Sequence, residues 1–165
     1  MPHDEFSRPA TLDDLKKVIQ SLNQQQADYI LIGGYALFSH GYHRATEDID
    51  LLVPANAMAS KSIIAALLVL PDKASAGLNP AWFEEGENIR LADEVIIDLL
   101  FETCGETYES LSSYTETVDL DGISVRTLTL EGLLKTKQSD RYKDNIDRMI
   151  LERAIDAIKN SKEPG

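Results

Sequence analysis

Apolar residues recur along the chain at two spacings, one typical of helices and one typical of strands. The helical spacing is clearest over residues 12–25, where an apolar residue returns every three or four positions behind Thr11, a residue type that caps helix starts. A second apolar segment, residues 57–70, follows Asn56 and stops before Pro71. It predicts a buried helix that connects two other elements.

Shorter apolar runs with β-branched residues predict strands. Residues 29–32 form one such run and end at a glycine pair, and residues 48–53 form the next. Residues 88–91 and 94–102 predict a hairpin that turns at residues 92–93. The two expected strands of that hairpin are separated by a turn too short to hold another element.

The rest of the chain is expected to complete a single domain over residues 1–165. A second Asp-x-Asp sequence begins at Asp119, but Gly122 follows it at once, which is typical of a hairpin turn rather than of a ligand site. The other expected segments are an irregular stretch at 72–88, a helix from Thr129, a helix over 144–158, and disordered ends at about 1–9 and 160–165.

Composition narrows the classes of function. The chain has 16 basic and 28 acidic residues and a formal charge of −12, which argues against a broad nucleic-acid-binding surface. No apolar run approaches the roughly 20 residues of a membrane helix, and the first residues lack the features of a signal peptide, so we expect a cytoplasmic protein with no membrane partner. The single cysteine, Cys104, excludes an internal disulfide and a cysteine zinc cluster.

The glycine pair lies where a strand is expected to give way to a helix. Gly33 and Gly34 follow the strand at 29–32, and residues 35–40 suit a short helix closed by Gly41. Such a junction leaves backbone N–H groups unpaired at the positive end of the helix, which favours a phosphate or another anion. Taken alone, the pair is more typical of an ordinary loop than of such a site.

Two carboxylates mark the start of the next strand. Because side chains alternate along a strand, Asp48 and Asp50 lie on one face, with Cα atoms roughly 7 Å apart. Like charges at this distance repel each other, and a shared divalent cation would reverse that repulsion. The alternative is that both side chains are solvated at a strand edge.

A third carboxylate, Asp98, lies within an otherwise apolar strand. Its neighbours on the same face are Ile96 and Leu100. Burying a carboxylate without a partner is costly, so Asp98 is expected to be ion-paired, hydrogen-bonded or bound to a metal. A structural salt bridge is the alternative to a metal-binding role.

Together these residues resemble a known signature. Gly33-Gly34 followed by Asp48-Ile49-Asp50, with Arg44 and Thr46 just before the acids, is similar to the signature of the DNA polymerase β-like nucleotidyltransferase superfamily. The string GGYAL…HRATEDIDLLV is most similar to small bacterial members of the abortive-infection toxin type. The resemblance implies an α+β fold in which a mixed β-sheet packs with helices and the chain ends in helices.

The resemblance also implies an enzyme that transfers an NMP from an NTP, such as ATP, to an acceptor hydroxyl. In such an enzyme Asp48, Asp50 and Asp98 would be the catalytic acids and would hold two Mg²⁺ ions. His43, in the loop before the acids, is a further candidate for a contact with substrate. The residues expected to bind the NTP are Gly33, Gly34, Tyr35, Arg44, Thr46, Lys137 and Arg141.

Two of these cations also have a structural interpretation. Lys137 lies on the apolar stripe predicted for the helix from Thr129, where a lysine can extend its ammonium to the surface. Arg141 is close in sequence to Asp144 and Asp147, and ion pairs with these acids would explain it nearly as well as a phosphate contact.

The resemblance does not extend to the acceptor, which could be a small molecule, a tRNA or a protein. A toxin would have an antitoxin as partner, and a second copy of the chain could complete the missing acceptor surface. A different class of function also fits, namely a catalytically silent copy of the fold that acts as a binding or antitoxin-type partner. A metal-dependent phosphohydrolase is a third possibility, but such sites usually add histidines at spacings that this chain lacks.

Overall fold

The computed structural model describes residues 7–42 and 47–162, which form a single β-sheet with helices packed around it. In chain order the elements are α1 (Leu12–Gln24), β1 (Ile30–Ile32), α2 (Gly33–Ser39), β2 (Ile49–Leu52), α3 (Ala57–Leu67), α4 (Pro80–Glu85), β3 (Ile89–Ala92), β4 (Ile96–Leu100), β5 (Thr115–Leu120), β6 (Ile123–Leu128), α5 (Leu130–Lys135) and α6 (Tyr142–Lys162). Short 3₁₀ turns lie at Ala74–Gly77 and Ser112–Tyr114.

The sheet is mixed, and its strands lie in the order β3-β4-β2-β1-β6-β5. β2 pairs in parallel with β4 and antiparallel with β1, and β1 pairs in parallel with β6. The outer pairs β3–β4 and β5–β6 are the two predicted antiparallel hairpins. The predicted α+β architecture, a mixed sheet packed with helices and followed by C-terminal helices, is therefore confirmed.

Helix α1 illustrates how local sequence signals produce these elements. The Thr11 hydroxyl accepts from the Asp14 amide at 3.3 Å, and the Asp14 carboxylate accepts from the Thr11 amide at 2.7 Å. This reciprocal pair satisfies amides that the first turn would otherwise leave unpaired. The helix packs against α3 and β6 through one apolar face. The buried members of that face are Leu15, Val18, Ile19 and Leu22.

The segment expected to be irregular, residues 72–88, contains a helix that its end signals could have revealed. The Asn79 side chain caps the first turn of α4, and Gly86 ends it with a left-handed φ of 72°. Phe83 is completely buried, and its ring lies edge-on to Phe101 with 5.2 Å between centroids. The segment is thus anchored to the core through an aromatic side chain.

Two helices differ from the prediction in where they begin or end. α3 ends at Leu67 rather than at residue 70, and α6 begins at Tyr142 and continues to Lys162. Before α1, the Arg8 guanidinium lies 2.6 Å from Asp14 and 3.3 Å from Glu94.

Over the described residues, none of the helices combines the length and the apolar character needed to cross a membrane.

Candidate active site

The sheet brings the three predicted acids to one place. Asp50 on β2 and Asp98 on β4 are direct partners in the parallel register, and Asp48 lies immediately before β2. Paired residues of neighbouring strands point to the same face of a sheet, and so do residues two apart on one strand. The three carboxylates therefore share one face of the two central strands.

A cavity of about 390 Å³ opens in front of these carboxylates. Its lining is almost entirely charged, and it includes both acidic and basic side chains. A cavity of this character suits a ligand that carries charge of its own rather than an apolar molecule. The lining residues are Gly34, Glu47, Asp48, Asp50, Arg90, Asp98, Lys137, Arg141, Lys143 and Asp144.

The Asp50 carboxyl group, which lines this cavity, has a strongly raised pKa. Burial, the negative charge of Asp98 and a hydrogen bond between the two carboxyl groups together raise the pKa of Asp50 to about 7. The nearby charge of Lys137 opposes the rise without cancelling it. The cavity lining has five acidic and four basic side chains, so it holds a surplus of negative charge when all of them are ionised.

The backbone of Gly33 lies directly against the Asp50 carboxylate. A Cβ atom built on Gly33 would be 2.3 Å from Oδ2 of Asp50, well inside contact distance, and the φ angle of Gly33 is 76°. Only glycine satisfies both conditions without displacing the acid. The first residue of the glycine pair thus has a packing reason to be glycine.

The remaining residues at the start of α2 divide between the cavity and the core. Gly34 lines the cavity, as expected of a backbone that approaches a ligand. The Tyr35 side chain is buried, and its hydroxyl donates to the carbonyl oxygen of Ala10 at 2.5 Å. Any contact of Tyr35 with a nucleotide would therefore come from its backbone, and this remains a prediction.

Arg90 is a member of the site that the sequence analysis missed. It lies on β3 directly opposite Asp98, and its Nη1 is 3.4 Å from Asp98 while its Nη2 is 3.3 Å from Asp48. The ion-paired state expected for Asp98 is thus present. The register of the β3–β4 hairpin could have revealed this pairing. The turn lies around Asp93 and Val95 rather than at residues 92–93, and this difference changes which residue of β3 faces Asp98.

Lys137 occupies the position between α5 and α6. The prediction that it lies on the apolar stripe of the first of these helices is wrong, because α5 ends at Lys135. Its ammonium is buried and lies 3.0 Å from Asp147 and 3.7 Å from Asp144, at the edge of the cavity. Lys137 therefore has a structural role in joining the two helices, whether or not it also contacts a ligand.

Arg141 forms an ion pair with one of the two acids that contact Lys137. Its Nη2 lies 3.0 Å from Asp144, which also accepts a hydrogen bond from the Ser139 hydroxyl. Burial opposes ionisation of Asp144, but these hydrogen bonds and the charge of Lys137 outweigh it and hold the pKa of Asp144 below its ordinary value. The ion pair predicted as the alternative for Arg141 is therefore present, although 73% of the arginine side chain is exposed to the cavity and solvent.

Three other predicted site residues cannot be placed. His43, Arg44 and Thr46 lie outside the described residues, in the segment between residues 42 and 47. Their expected contacts with substrate or nucleotide stay predictions.

The site fits a divalent cation by charge and donor type. Its candidate ligands are carboxylate oxygens, which Mg²⁺ prefers, and the raised pKa of Asp50 reflects negative charge that a divalent ion would neutralise. Within residues 7–42 and 47–162, however, no three His, Cys, Asp or Glu side chains converge on one point as a metal needs. Arg90 lies between two of the candidate ligands, so binding of a metal requires side chains to rearrange.

Comparison with known proteins supports the fold. No family model matches the chain, and no curated protein matches it. Among solved structures, the chain is similar to the crystal structure of a putative nucleotidyltransferase from Thermotoga maritima, with a TM-score of 0.53 and 17% identity over 93% of each chain. At this identity the likeness shows a shared fold, so an argument about activity rests on the side chains.

The contact between Gly33 and Asp50 predicts an unequal cost of adding a methyl group at two glycines. Gly33→Ala should lose roughly 1–3 kcal/mol more stability than Gly105→Ala in chemical denaturation. Gly105 is a matched control because its φ is 80° and its Cβ would meet nothing within 4 Å. Equal losses would mean that the Asp50 carboxylate moves aside at no cost.

The raised pKa of Asp50 predicts a pH-dependent gain from neutralising it. The folded protein holds this proton more tightly than the unfolded chain, so the contribution of Asp50 to stability falls as pH rises from about 4 to about 7. In metal-free buffer the free energy of unfolding of Asp50→Asn should exceed that of wild type by roughly 1–3 kcal/mol above pH 7. This gain in stability should vanish near pH 4.

The control for this pH series is Asp119→Asn, which alters a carboxylate in the exposed β5–β6 turn. It should show no such pH-dependent gain in urea denaturation between pH 4 and pH 8. If wild type is more stable than Asp50→Asn at pH 8 without metal, that result would contradict the assigned charge surplus.

The ion pairs of Lys137 predict a large structural cost for removing its charge. Lys137→Met should lose on the order of 3 kcal/mol, because it removes a buried ammonium that lies against the buried carboxylates of Asp144 and Asp147. The added change Asp147→Asn should recover part of that loss. Lys135→Met, which removes an ammonium lying over the Tyr114 ring, should cost about 1 kcal/mol or less in the same denaturation experiment.

Proposed function

We propose that this protein is a Mg²⁺-dependent nucleotidyltransferase that transfers an NMP from an NTP to an acceptor hydroxyl. The observation that supports it is the meeting of Asp48, Asp50 and Asp98 on one sheet face, in front of a cavity that also bears Lys137 and Arg141. Acids can hold the metal and cations can offset the charge of a triphosphate within one space. The shared fold with a solved putative nucleotidyltransferase agrees with this proposal.

The three acids divide the work of the transfer. The acceptor oxygen bonds to the α-phosphorus while the bond from that phosphorus to the bridging oxygen breaks, and pyrophosphate leaves. Bound Mg²⁺ would stabilise the negative charge that builds on the entering and leaving oxygens. Asp48 and Asp50 are the residues we propose to hold two ions, and Asp98 completes the set and accepts the proton of the acceptor hydroxyl.

The nucleotide would bind across the cavity from the glycine turn to the start of α6. Gly34 brings backbone close to the ligand, and Lys137 contributes a cation whose position two buried acids maintain. Arg141, with most of its side chain exposed, can turn from Asp144 to a phosphate. We propose that Arg44 and Thr46 extend this contact.

The acceptor defines the biological role. We propose a small molecule, a tRNA or a protein as its class, and the resemblance to abortive-infection proteins leads us to propose a toxin neutralised by an antitoxin partner. A second copy of the chain is the alternative source of the acceptor surface. Because the reaction consumes an NTP, its place of action would be the cytoplasm.

A catalytically silent binding module is the second candidate, and one observation favours it. In the described part of the chain the acids do not form a ready-made ligand set, and Arg90 already pairs with two of them. A protein that uses its acids only for structure would keep such an arrangement. Metal and nucleotide binding decide between the two functions.

The deciding experiment is a thermal-shift series with each of the four NTPs, in the presence and absence of Mg²⁺. If the proposal holds, one or more NTPs should stabilise the wild-type protein only with Mg²⁺, because a ligand at 100 times its Kd adds about 2.7 kcal/mol. The double variant Asp48→Asn/Asp50→Asn should lose that response, whereas Asp119→Asn should keep it. The nucleotide that gives the largest shift names the donor.

A transfer assay separates activity from binding. With α-phosphate-labelled NTP, label should pass to a small-molecule, tRNA or protein acceptor, and Asp50→Asn should reduce transfer by at least 100-fold if metal is essential, an order-of-magnitude expectation for loss of metal catalysis. Nucleotide binding that ignores both Mg²⁺ and the acid-to-amide changes would favour the silent module instead.

A further inference from the structure

One guanidinium already joins two of the three acids that the proposed enzyme needs for metal. Arg90 lies 3.3 Å from Asp48 through Nη2 and 3.4 Å from Asp98 through Nη1, and the same Nη1 is 3.4 Å from the second oxygen of Asp98. Its backbone is fixed across from Asp98 by the β3–β4 register. The side chain is half-exposed, at 49%, on the wall of the cavity.

A divalent cation and this guanidinium need the same carboxylate oxygens. A divalent ion held by Asp48 and Asp98 would compete with the positive charge of Arg90 for these oxygens, and two cations do not share such a space without strong repulsion. The distances of 3.3–3.4 Å exceed the usual 2.7–2.9 Å of charge-assisted hydrogen bonds, so the contacts of Arg90 with these two acids are loose. Together with its exposure, this makes the arginine displaceable.

The displaced guanidinium has a destination within the same cavity. A phosphate offers the paired oxygens that a guanidinium prefers, and Arg90 lines the cavity together with Arg141 and Lys143. A triphosphate would thus accept the hydrogen bonds that the carboxylates give up. Exchange of one anionic partner for another keeps the arginine paired in both states.

We propose that Arg90 couples metal binding to nucleotide binding: it competes with the divalent ion for Asp48 and Asp98 in the free protein, and it moves to the phosphates when the NTP arrives. The inference rests on the proposed function, because it assumes that these acids bind a metal. Arg90 is therefore a positioning residue, and the metal is expected to enter the site mainly as a complex with the nucleotide.

The test measures Mn²⁺ binding without catalysis, by paramagnetic resonance of the free ion, with and without a non-hydrolysable NTP analogue. In the absence of nucleotide, Arg90→Gln should bind Mn²⁺ roughly three- to tenfold more tightly than wild type, because a partly exposed competing ion pair is lost. With Mn²⁺ present, the same variant should bind the analogue roughly tenfold more weakly, because a charge-assisted phosphate contact is lost.

Arg90→Lys and Arg126→Gln complete the series. The lysine keeps a positive charge without the paired donors, so its Mn²⁺ affinity should lie between those of wild type and Arg90→Gln. Arg126 lies on β6, where its guanidinium is over the Tyr108 ring and away from the acids. Its replacement should change neither affinity. Near-ultraviolet circular dichroism of each variant checks that the β3–β4 hairpin is intact.

The outcomes separate this inference from the function on which it rests. If wild type binds Mn²⁺ and the analogue through Asp50 but Arg90→Gln and Arg90→Lys bind both like wild type, the coupling is wrong and the nucleotidyltransferase proposal stands. If Asp50→Asn binds Mn²⁺ and analogue as wild type does, both proposals fall. The exchange is established if Arg90→Gln binds Mn²⁺ more tightly and the analogue more weakly, Arg90→Lys has an intermediate Mn²⁺ affinity, and Arg126→Gln binds both like wild type.

Discussion

The parallel pairing of β2 with β4 is the constraint on which the rest of the site depends. It places Asp50 beside Asp98, and both lie among buried strands where water cannot fully screen their charges. Burial disfavours ionisation of Asp50, and the charge of Asp98 disfavours it further, which is why the pKa of Asp50 rises. Several neighbouring features, including the glycine at position 33 and the guanidinium of Arg90, follow from the need to accommodate these acids.

A second group of charged side chains, in which acids and bases pair with each other, joins the C-terminal helices to the site. Lys137 lies between two buried acids of α6, and one of those acids also pairs with Arg141. Breaking such a buried pair leaves an uncompensated charge, so the arrangement constrains how α6 docks on α5. The lysine consequently reaches the cavity as part of a rigid assembly, which is a useful property for a residue that would meet a triphosphate.

Local signals predicted much of this structure, and what they missed at the site has a common physical cause. Three signals act between near neighbours in sequence: the helix cap at Thr11, the glycine pair that follows β1, and the alternation over residues 48–53. Sequence alone therefore indicated those elements. The same reasoning selected the three acids. Their meeting depends on parallel pairing between strands distant in sequence, which no turn specifies, and the opposition of Arg90 to Asp98 depends on a hairpin register that shifts with the turn.

A shared fold does not decide between an enzyme and a silent copy, because one fold supports many functions. The distinction lies in what neutralises the acids. Lys137 opposes the rise in the pKa of Asp50, yet burial and the charge of Asp98 keep that pKa raised. Ionising Asp50 therefore costs stability at neutral pH, and a bound cation would offset that cost. Buried carboxyl groups with such perturbed pKa values are more common at functional sites than elsewhere, which favours the enzyme over the silent copy.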